Sequence, residues 1–278
     1  MSFNYNTGLM DESPFDLTDR VAIITGGYGV LGGGMADTLA RAGARVAILG
    51  RRRDEAIAKA AELTEYGATA IAAIADVLDE DSLHAARDRI LSEWGTIDIL
   101  VNAAGGNVAR TDGVPPFNMP LDTFHEALRL NLHGTVIPSL VFGKVMARQK
   151  KGTIVNISSM AATQAISGIM GYSIAKAGVE NFTKWLAVDL ARQCGDGIRV
   201  NAIAPGFFLS AQNRAVFIED DGSYSPRAER IVARTPMGRF GRADELGGAL
   251  QFLCSDAASF VTGVVIPVDG GFSAYTGV

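Results

Sequence analysis

Short apolar runs alternate with longer helical patterns along almost the whole chain of 278 residues. The apolar run at 21–25 precedes a helical pattern at 31–42, and the run at 45–49 precedes a helical pattern that ends at Tyr66. Further strands are predicted at 70–75, 97–101, 153–157, 199–204 and 264–268, and further helices at 121–148, 170–192 and 243–255. Continuous apolar runs that alternate with helices are typical of parallel strands covered on both faces. We therefore expect a doubly wound α/β fold with a mostly or wholly parallel sheet of about seven strands.

No linker rich in proline or serine interrupts this alternation, which predicts a single domain over 1–278 with an N-terminal tail at 1–15. The stretch 207–237 departs from the pattern because it is polar and rich in turn residues, as in EDDGSYSP. It follows the end of the sixth predicted strand, and open α/β sheets bind their ligands at the carboxyl ends of strands. We interpret 207–237 as a substrate lid.

Charge and composition disfavour several classes of partner. The chain has 25 Lys and Arg against 30 Asp and Glu, a net charge of −5, and no long basic run, so neither nucleic acid nor an anionic membrane is expected to bind. No apolar stretch reaches the roughly 18 residues of a membrane helix, and the N-terminal residues do not resemble a signal peptide. With only Cys194 and Cys254, neither a disulfide framework nor a metal site is expected. We expect a soluble, cytoplasmic protein that acts on a small molecule.

A glycine-rich turn, TGGYGVLGGG from Thr25 to Gly34, joins the first predicted strand to the first helix. Glycines at such a turn let the backbone approach a pyrophosphate, whose charge then lies at the positive end of the helix. A tight turn that needs left-handed glycines would explain a glycine cluster by itself. The strand before it and the helix after it favour a dinucleotide site.

Ser159, Tyr172 and Lys176 form the most specific chemical motif of the sequence. Tyr172 and Lys176 are four residues apart in a predicted helix, so their side chains lie on one face. An ammonium group there favours tyrosinate and would lower the tyrosine pKa from about 10 toward working pH, which makes Tyr172 a candidate general acid and base. Ser159 can donate a hydrogen bond to a substrate carbonyl or alkoxide. No G-x-S-x-G nucleophile elbow is present, which disfavours a Ser-His-Asp hydrolase.

These motifs resemble those of the classical short-chain dehydrogenase/reductase family, and the resemblance covers nearly the whole chain. Thr25, Gly26 and Gly32 match the family's nucleotide motif T-G-x-x-x-G-x-G, in which Val30 replaces the middle glycine. The resemblance implies a Rossmann fold, hydride transfer with a nicotinamide cofactor, and a catalytic set of Asn131, Ser159, Tyr172 and Lys176. In the family the asparagine holds a water that links the lysine to solvent.

The resemblance also implies a set of cofactor contacts at the strand ends. The family's acidic residue beside the adenine corresponds to Asp76, its N-A-G segment ends the fourth strand, and its P-G motif follows the sixth strand. The implied cofactor-binding residues are Gly26, Tyr28, Val30, Leu31, Gly50, Arg51, Asp76, Val77, Asn102, Ala103, Gly105, Tyr172, Lys176, Pro205 and Gly206.

The end of the second predicted strand bears on the choice of nicotinamide cofactor. Enzymes that select NAD usually carry an acidic residue there for the ribose 2′-hydroxyl, whereas this chain reads Gly50-Arg51-Arg52-Arg53. Gly50 leaves space, and the Arg51 guanidinium can bind a 2′-phosphate through two hydrogen bonds. We predict that NADP(H) is preferred and that NAD(H) remains a possible cofactor. Alternatively, the arginines form the solvated start of a helix.

Several segments resemble the subgroup of D-mannonate oxidoreductases, also called fructuronate reductases. They include 104–107, the run 203–208 with 212–214, and the C-terminal stretch 267–278. Such a sugar acid presents a carboxylate and hydroxyl groups, which implies a pocket with an arginine and polar side chains. The candidate substrate-binding residues are Ser159, Asn107, Gln212 and Arg214, with Asn213 in the same lid segment and Arg110 as a second candidate for the carboxylate. Alternatively, the QNR segment ties the lid to the core.

Two other functions remain open at this point. The family's core motifs do not specify a substrate, so a reductase of 3-oxoacyl thioesters or cyclic ketones is an alternative. A catalytically silent nucleotide-binding scaffold is a second alternative, although such a protein would be expected to lack one of the catalytic residues. The family is commonly tetrameric, and we expect a homotetramer in which the apolar terminus 267–278, with Phe272 and Tyr275, packs between subunits.

Overall fold

A computed structural model describes residues 13–108, 114–209 and 214–277. Its centre is a seven-stranded sheet with the strand order β3-β2-β1-β4-β5-β6-β7, in which every neighbouring pair is parallel. The strands are β1 (Val21–Thr25), β2 (Arg45–Gly50), β3 (Ala70–Ile74), β4 (Ile99–Asn102), β5 (Gly152–Ile157), β6 (Ile198–Pro205) and β7 (Val265–Val268). The expectation of a doubly wound fold with about seven parallel strands is therefore confirmed.

Nine α-helices lie in the described part of the chain, mostly between the strands. They are α1 (Val30–Arg41), α2 (Arg53–Glu65), α3 (Glu80–Trp94), α4 (Leu121–Leu128), α5 (Gly134–Gln149), α6 (Met170–Cys194), α7 (Arg214–Phe217), α8 (Pro226–Arg234) and α9 (Gly247–Cys254). None of the described helices is long and apolar enough to cross a lipid bilayer.

The helices bury the sheet on both faces. One core includes Met35 and Leu39 of α1, Leu63 of α2 and Leu250 of α9, packed on the strands. The core on the opposite face is formed by three other helices, through residues such as Ile90 of α3, Phe142 of α5 and Leu186 of α6. Full burial of each large apolar side chain contributes roughly 1.5–3 kcal/mol. This double coverage explains why strands such as β1 are apolar at every position instead of alternating.

Two helical regions differ from the sequence prediction. Helix α3 was not predicted because its sequence is largely charged, and only Leu83, Ala86 and Ile90 of it are buried. The predicted helix at 121–148 is interrupted by one turn of π-helix, Arg129–His133, which separates α4 from α5. A hydrophobic pattern does not reveal a π-turn, because that turn adds only one residue to the helical repeat.

The region predicted as a lid contains α7 and α8 and has a small apolar cluster of its own. Phe217, Ala228, Ile231 and Phe240 are buried together there. The C-terminal stretch also packs on this region: the Phe272 ring is 8% exposed, and its centroid lies 5.3 Å from that of Phe207. Most of the Phe272 ring is therefore buried within its own chain, and packing of the terminus 267–278 between subunits stays a prediction.

Candidate active site

A cavity of about 840 Å³ lies at the carboxyl ends of the central strands. Its walls come from the turn after β1, the ends of β2 and β3, the loops after β4 and β5, the start of α6, and the lid. Because neighbouring parallel strands all end at the same edge of the sheet, residues far apart in sequence meet here. The predicted residues that line the cavity are Gly26, Tyr28, Val30, Leu31, Gly50, Arg51, Asp76, Val77, Ala103, Gly105, Asn107, Ser159, Tyr172, Lys176, Pro205 and Gly206.

The glycine-rich turn brings backbone close to backbone at the start of α1. Gly26 has a φ of 66°, and a Cβ on this residue would come within 3.0 Å of the Ala104 Cα. A Cβ on Gly32 would overlap the Gly26 carbonyl oxygen. The first turn of α1 contains no acidic residue, and its N-cap Gly29 has no capping side chain. The positive end of α1 is thus available at the cavity wall, and this cradle fits a dinucleotide pyrophosphate.

At one end of the cavity, Tyr28 and two arginines surround Gly50. The Arg52 guanidinium carbon lies 4.7 Å from the centroid of the Tyr28 ring, and the Arg52 backbone N–H donates to the Tyr28 hydroxyl at 3.4 Å. The Arg51 side chain is 75% exposed, with Nη1 3.9 Å from Asp76 Oδ2. This end therefore presents two cationic groups and one carboxylate, which fits the adenosine part of a nicotinamide cofactor.

Ser159, Tyr172 and Lys176 meet at the opposite wall. The Ser159 side chain lies close enough to Tyr172 to affect its pKa, and its Oγ accepts a hydrogen bond from the Ala161 N–H at 3.1 Å. Lys176 is 4% exposed, and its Nζ donates to the Ile157 carbonyl at 2.7 Å and lies 5.7 Å from the centroid of the Tyr172 ring. The adjacent Ser158 instead donates to Glu180 Oε1 at 2.9 Å. The geometry therefore brings together the three residues of the motif.

Burial dominates the titration of this pair. It raises the pKa of Tyr172 above its usual 10.0, while the hydrogen bond from Ser159 acts in the opposite direction. Burial also lowers the pKa of Lys176 from 10.5 to about 8. The expected lowering of the tyrosine pKa by the ammonium is thus not found in this structure, because burial, the largest cause of the shift, raises that pKa.

Asn131 lies beneath the cavity wall, in the π-turn. Its side chain is fully buried; Oδ1 accepts from the Gly106 N–H at 2.9 Å, and Nδ2 donates to the Gly106 carbonyl at 2.9 Å and to the Ala127 carbonyl at 3.0 Å. A Cβ on Gly105 would come within 2.7 Å of Asn131 Oδ1 and 3.5 Å of Lys176 Nζ. Asn131 therefore fixes the loop after β4 beside the lysine.

Asn102 is the predicted cofactor residue that the structure does not bring to the cavity. Its side chain is 1% exposed, and Nδ2 donates to Ser139 Oγ and to Asn156 Oδ1, both at 2.9 Å. Asn156 in turn donates to Thr183. The Asn102 side chain thus belongs to a buried polar network that ties β4 to β5, α5 and α6, and the contact of Asn102 with a cofactor stays a prediction.

The arginine that lines the substrate end of the cavity is not the predicted one. Asn107 lines the cavity, but Arg214 is an exposed residue at the start of α7 and does not. The predicted Gln212, Asn213 and Arg110 lie outside the described residues. Arg227, at the start of α8, was not predicted from the sequence but does line the cavity. No motif marks this residue, because its placement depends on how α8 packs.

Comparisons with known proteins agree with this geometry. The model of a family described as enoyl-(acyl carrier protein) reductase matches residues 29–273. An uncharacterized oxidoreductase of Bacillus subtilis, UxuB, is 44% identical over 275 residues, which cover 95% of this chain and 98% of that protein.

Two solved structures extend the comparison to bound cofactors. A Haemophilus influenzae protein assigned as a D-mannonate oxidoreductase, solved with bound NAD, has a TM-score of 0.88 at 40% identity and covers 95% of this chain and 98% of its own. A gluconate 5-dehydrogenase from Burkholderia cenocepacia, in complex with NADP and tartrate, has a TM-score of 0.84 at 35% identity, covering 95% and 98%. Both coverages extend over nearly the whole of each chain.

Proposed function

Because the chain belongs to the short-chain dehydrogenase/reductase family, we propose that it interconverts a keto-sugar acid, such as fructuronate, and the corresponding hydroxy acid with NADP(H). The protein is an NAD(P)-dependent oxidoreductase that acts on alcohol groups. The observation that carries the proposal is that Ser159, Tyr172 and Lys176 line the same cavity as the glycine cradle at Gly26. A substrate carbonyl beside Ser159 and Tyr172 would thus share one chamber with the cofactor.

Each residue of the catalytic set has a distinct role in the proposal. When bound, the cofactor supplies or accepts the hydride. In the reductive direction the Tyr172 hydroxyl donates a proton to the forming alkoxide, and its high pKa suits an acid that is protonated at neutral pH. When the substrate is bound, the Ser159 hydroxyl donates its one proton to the same oxygen and stabilises the developing charge.

Lys176 and Asn131 support this exchange from the buried side. The pKa of Lys176, about 8, lies close to neutrality, so its ammonium can release and regain a proton near working pH. Asn131 positions Gly105 and Gly106 against the lysine through its hydrogen bonds to Gly106. A water between this loop and Lys176 would complete a path for protons to solvent.

The preference for NADP(H) rests on Gly50, Arg51 and Arg52. Two guanidinium groups line this end of the cavity, and Asp76 is the acidic residue among the described residues of the lining. A 2′-phosphate adds negative charge that NAD lacks, so a cationic end favours NADP. The relatives include proteins solved with NAD and with NADP, which is why the preference must be measured on this chain.

The proposed substrate class and lid follow the same relatives. D-mannonate and gluconate, named for the two structural relatives, are both polyhydroxy carboxylates. In the proposal, 207–237 covers such a substrate, with Asn107 contributing a polar side chain at the cavity wall. In the proposal, the whole chain 1–278 acts as one domain.

We also propose that the active protein is a homotetramer. Three exposed apolar side chains, Ile174, Trp185 and Val188, lie 11 and 3 residues apart along α6, which is close to a whole number of helical turns in each case and places them on one face. The Trp185 side chain is 64% exposed, and Leu140 of the neighbouring α5 is 51% exposed. A second copy of the chain packed on α5 and α6 would bury this surface. Size-exclusion chromatography with light scattering measures the oligomeric state.

The absorbance of the reduced nicotinamide tests the proposed reaction. NADPH and NADH are each mixed with fructuronate, other keto-uronates, simple ketones, cyclic ketones and a 3-oxoacyl thioester. We expect oxidation of NADPH with fructuronate and a lower rate with NADH. Turnover of the thioester or of cyclic ketones instead would assign the alternative substrates, and binding of NADPH with no turnover of any carbonyl would favour a silent scaffold.

A further inference from the structure

We infer that Arg227 forms a carboxylate-binding site at the substrate end of the cavity. The inference rests on the proposed function, because it assigns the group that recognises the acid moiety of the substrate. Five charged side chains occur among the described residues of the cavity lining: Arg51, Arg52, Asp76, Lys176 and Arg227. Their distribution along the cavity separates Arg227 from the others.

Three of the five charges belong to the adenosine end. Arg51 and Arg52 follow β2, and Asp76 follows β3, within 3.9 Å of Arg51. Lys176 is buried beneath Tyr172 and donates to the Ile157 carbonyl. Arg227 instead comes from the lid, on the side of the cavity that Val216 and Phe217 also line. Within the described lining, it is the charged side chain that the lid contributes.

The surroundings of Arg227 strengthen an interaction with an anion. Its side chain is half-buried, and its Nε is inaccessible to solvent. The cavity lining also includes the apolar Ile166, Ile169 and Phe217. In such surroundings the effective dielectric is lower than in water, so a carboxylate that reaches the guanidinium is held more strongly than at an open surface.

Helix α8 gives the guanidinium a defined position. Pro226 is the first residue of this helix, and the Ser225 hydroxyl caps it by accepting from the Ala228 N–H at 3.3 Å. Ala228 and Ile231 are buried against Phe217 and Phe240. Arg227 therefore lies on a helix whose start is capped and whose inner face is packed. This fixed backbone reduces the conformational entropy that the protein loses when a ligand binds.

The matched substrate pair for this inference is fructuronate and fructose, which differ by the carboxylate. A second pair, 4-oxocyclohexanecarboxylate and cyclohexanone, suits the apolar lining and does not depend on a sugar. For each pair, kcat/KM is measured with the wild type, Arg227→Gln and Arg227→Lys. Arg230→Gln is the control, because Arg230 is an exposed arginine on the same helix that does not line the cavity.

We expect Arg227→Gln to lower the ratio of kcat/KM for the acid to that for its uncharged partner by about 10- to 100-fold, the range for a hydrogen bond to a charged group. The loss appears mainly in KM. Arg227→Lys retains the charge but not the paired donors, so its ratio falls between those of the wild type and Arg227→Gln. Arg230→Gln retains the wild-type ratio. An equal loss for both members of a pair, or no loss for either, overturns the inference.

A binding measurement separates failure of this site from failure of the proposed function. Calorimetry gives the Kd of mannonate for the NADP-loaded wild type and for Arg227→Gln, and the variant should bind at least about tenfold more weakly. If fructuronate is not reduced but the cyclic acid is, the sugar-acid function has failed and the cyclic pair decides the role of Arg227. If the wild type neither binds mannonate nor favours either acid over its uncharged partner, the carboxylate site is overturned.

Discussion

The Tyr28 ring lies directly against Gly50, so that a Cβ on residue 50 would come within 2.8 Å of the tyrosine oxygen and would overlap the ring edge. The same ring carries the Arg52 guanidinium at 4.7 Å from its centroid. Because Gly50 has no side chain, Tyr28 can occupy this space and hold Arg52 at the adenosine end of the cavity. Any larger residue at position 50 must displace the tyrosine and, with it, the arginine.

We predict that Gly50→Ala weakens NADPH binding by about tenfold through Tyr28. A methyl group at this position displaces the ring, and the effect should be much smaller when Tyr28 is already Ala. Residues in direct contact commonly show coupling energies of 0.5–3 kcal/mol in a double-mutant cycle. Fluorescence titration with NADPH gives the four Kd values. Additive effects would show that the two residues act independently.

The Arg51→Gln substitution should weaken binding of NADPH much more than binding of NADH. We expect the Kd for NADPH to rise about tenfold or more and the Kd for NADH to change by less than about twofold, because in the proposed complex Arg51 binds the 2′-phosphate that NADH lacks. Arg53→Gln is the matched control, since Arg53 is the exposed first residue of α2 and does not line the cavity. An equal rise in both Kd values would show that Arg51 does not determine the preference between NADPH and NADH.

Gly105 and Gly106 form a natural pair for testing the loop beside the lysine. Their φ angles are 157° and 151°, so an alanine has a similar backbone cost at either position. A Cβ at Gly105 would crowd Asn131 and Lys176, whereas a Cβ at Gly106 meets nothing within 4 Å. We expect Gly105→Ala to lose at least about tenfold more kcat than Gly106→Ala at similar stability. Equal kcat in the two variants would contradict this positioning role.

The sequence predicted inner strands such as β1 and β2 well because they are buried on both faces and therefore read as continuous apolar runs. It predicted the residues of the glycine turn and of the Ser159, Tyr172 and Lys176 motif because their spacing is local to one turn or one helix. Helix α3 was missed because only a narrow face of it is buried.

The positions and contacts of individual side chains were harder to predict than the helices and strands. The direction of Asn102 depends on the buried partners Ser139 and Asn156, which lie 37 and 54 residues away in sequence. The choice between Arg214 and Arg227 depends on the packing of α7 and α8 in the lid, and no periodicity encodes it. The burial of Phe272 against Phe207 likewise joins distant segments.

Asn102→Ala should destabilise the protein without weakening the cofactor complex. The variant removes two buried hydrogen bonds, to Ser139 and Asn156, and we expect the free energy of unfolding to fall by about 2 kcal/mol. Urea unfolding measures this loss, and NADPH titration of the folded variant should give a Kd within about twofold of the wild type. A large rise in that Kd at unchanged stability would instead support a contact between Asn102 and the cofactor.

Lys176 should make the stability of the protein depend on pH in the alkaline range. Its pKa is lowered from 10.5 to about 8 in the folded state because burial disfavours the ammonium. Below pH 8 the lysine is charged in both states, and the folded state bears the full desolvation cost. Between about pH 8 and 10.5 the unfolded state binds more protons, so the free energy of unfolding rises with pH.

Lys176→Met removes this dependence and provides the reference. The difference in unfolding free energy between the variant and the wild type should favour the variant most below pH 8. It should shrink by on the order of 3 kcal/mol as the pH rises to 10.5, because a change of one pKa unit corresponds to about 1.4 kcal/mol. All other titrating groups are common to both proteins and cancel in the difference. Urea unfolding at intervals across this range measures it, and a difference that is independent of pH would mean that the buried lysine retains an ordinary pKa.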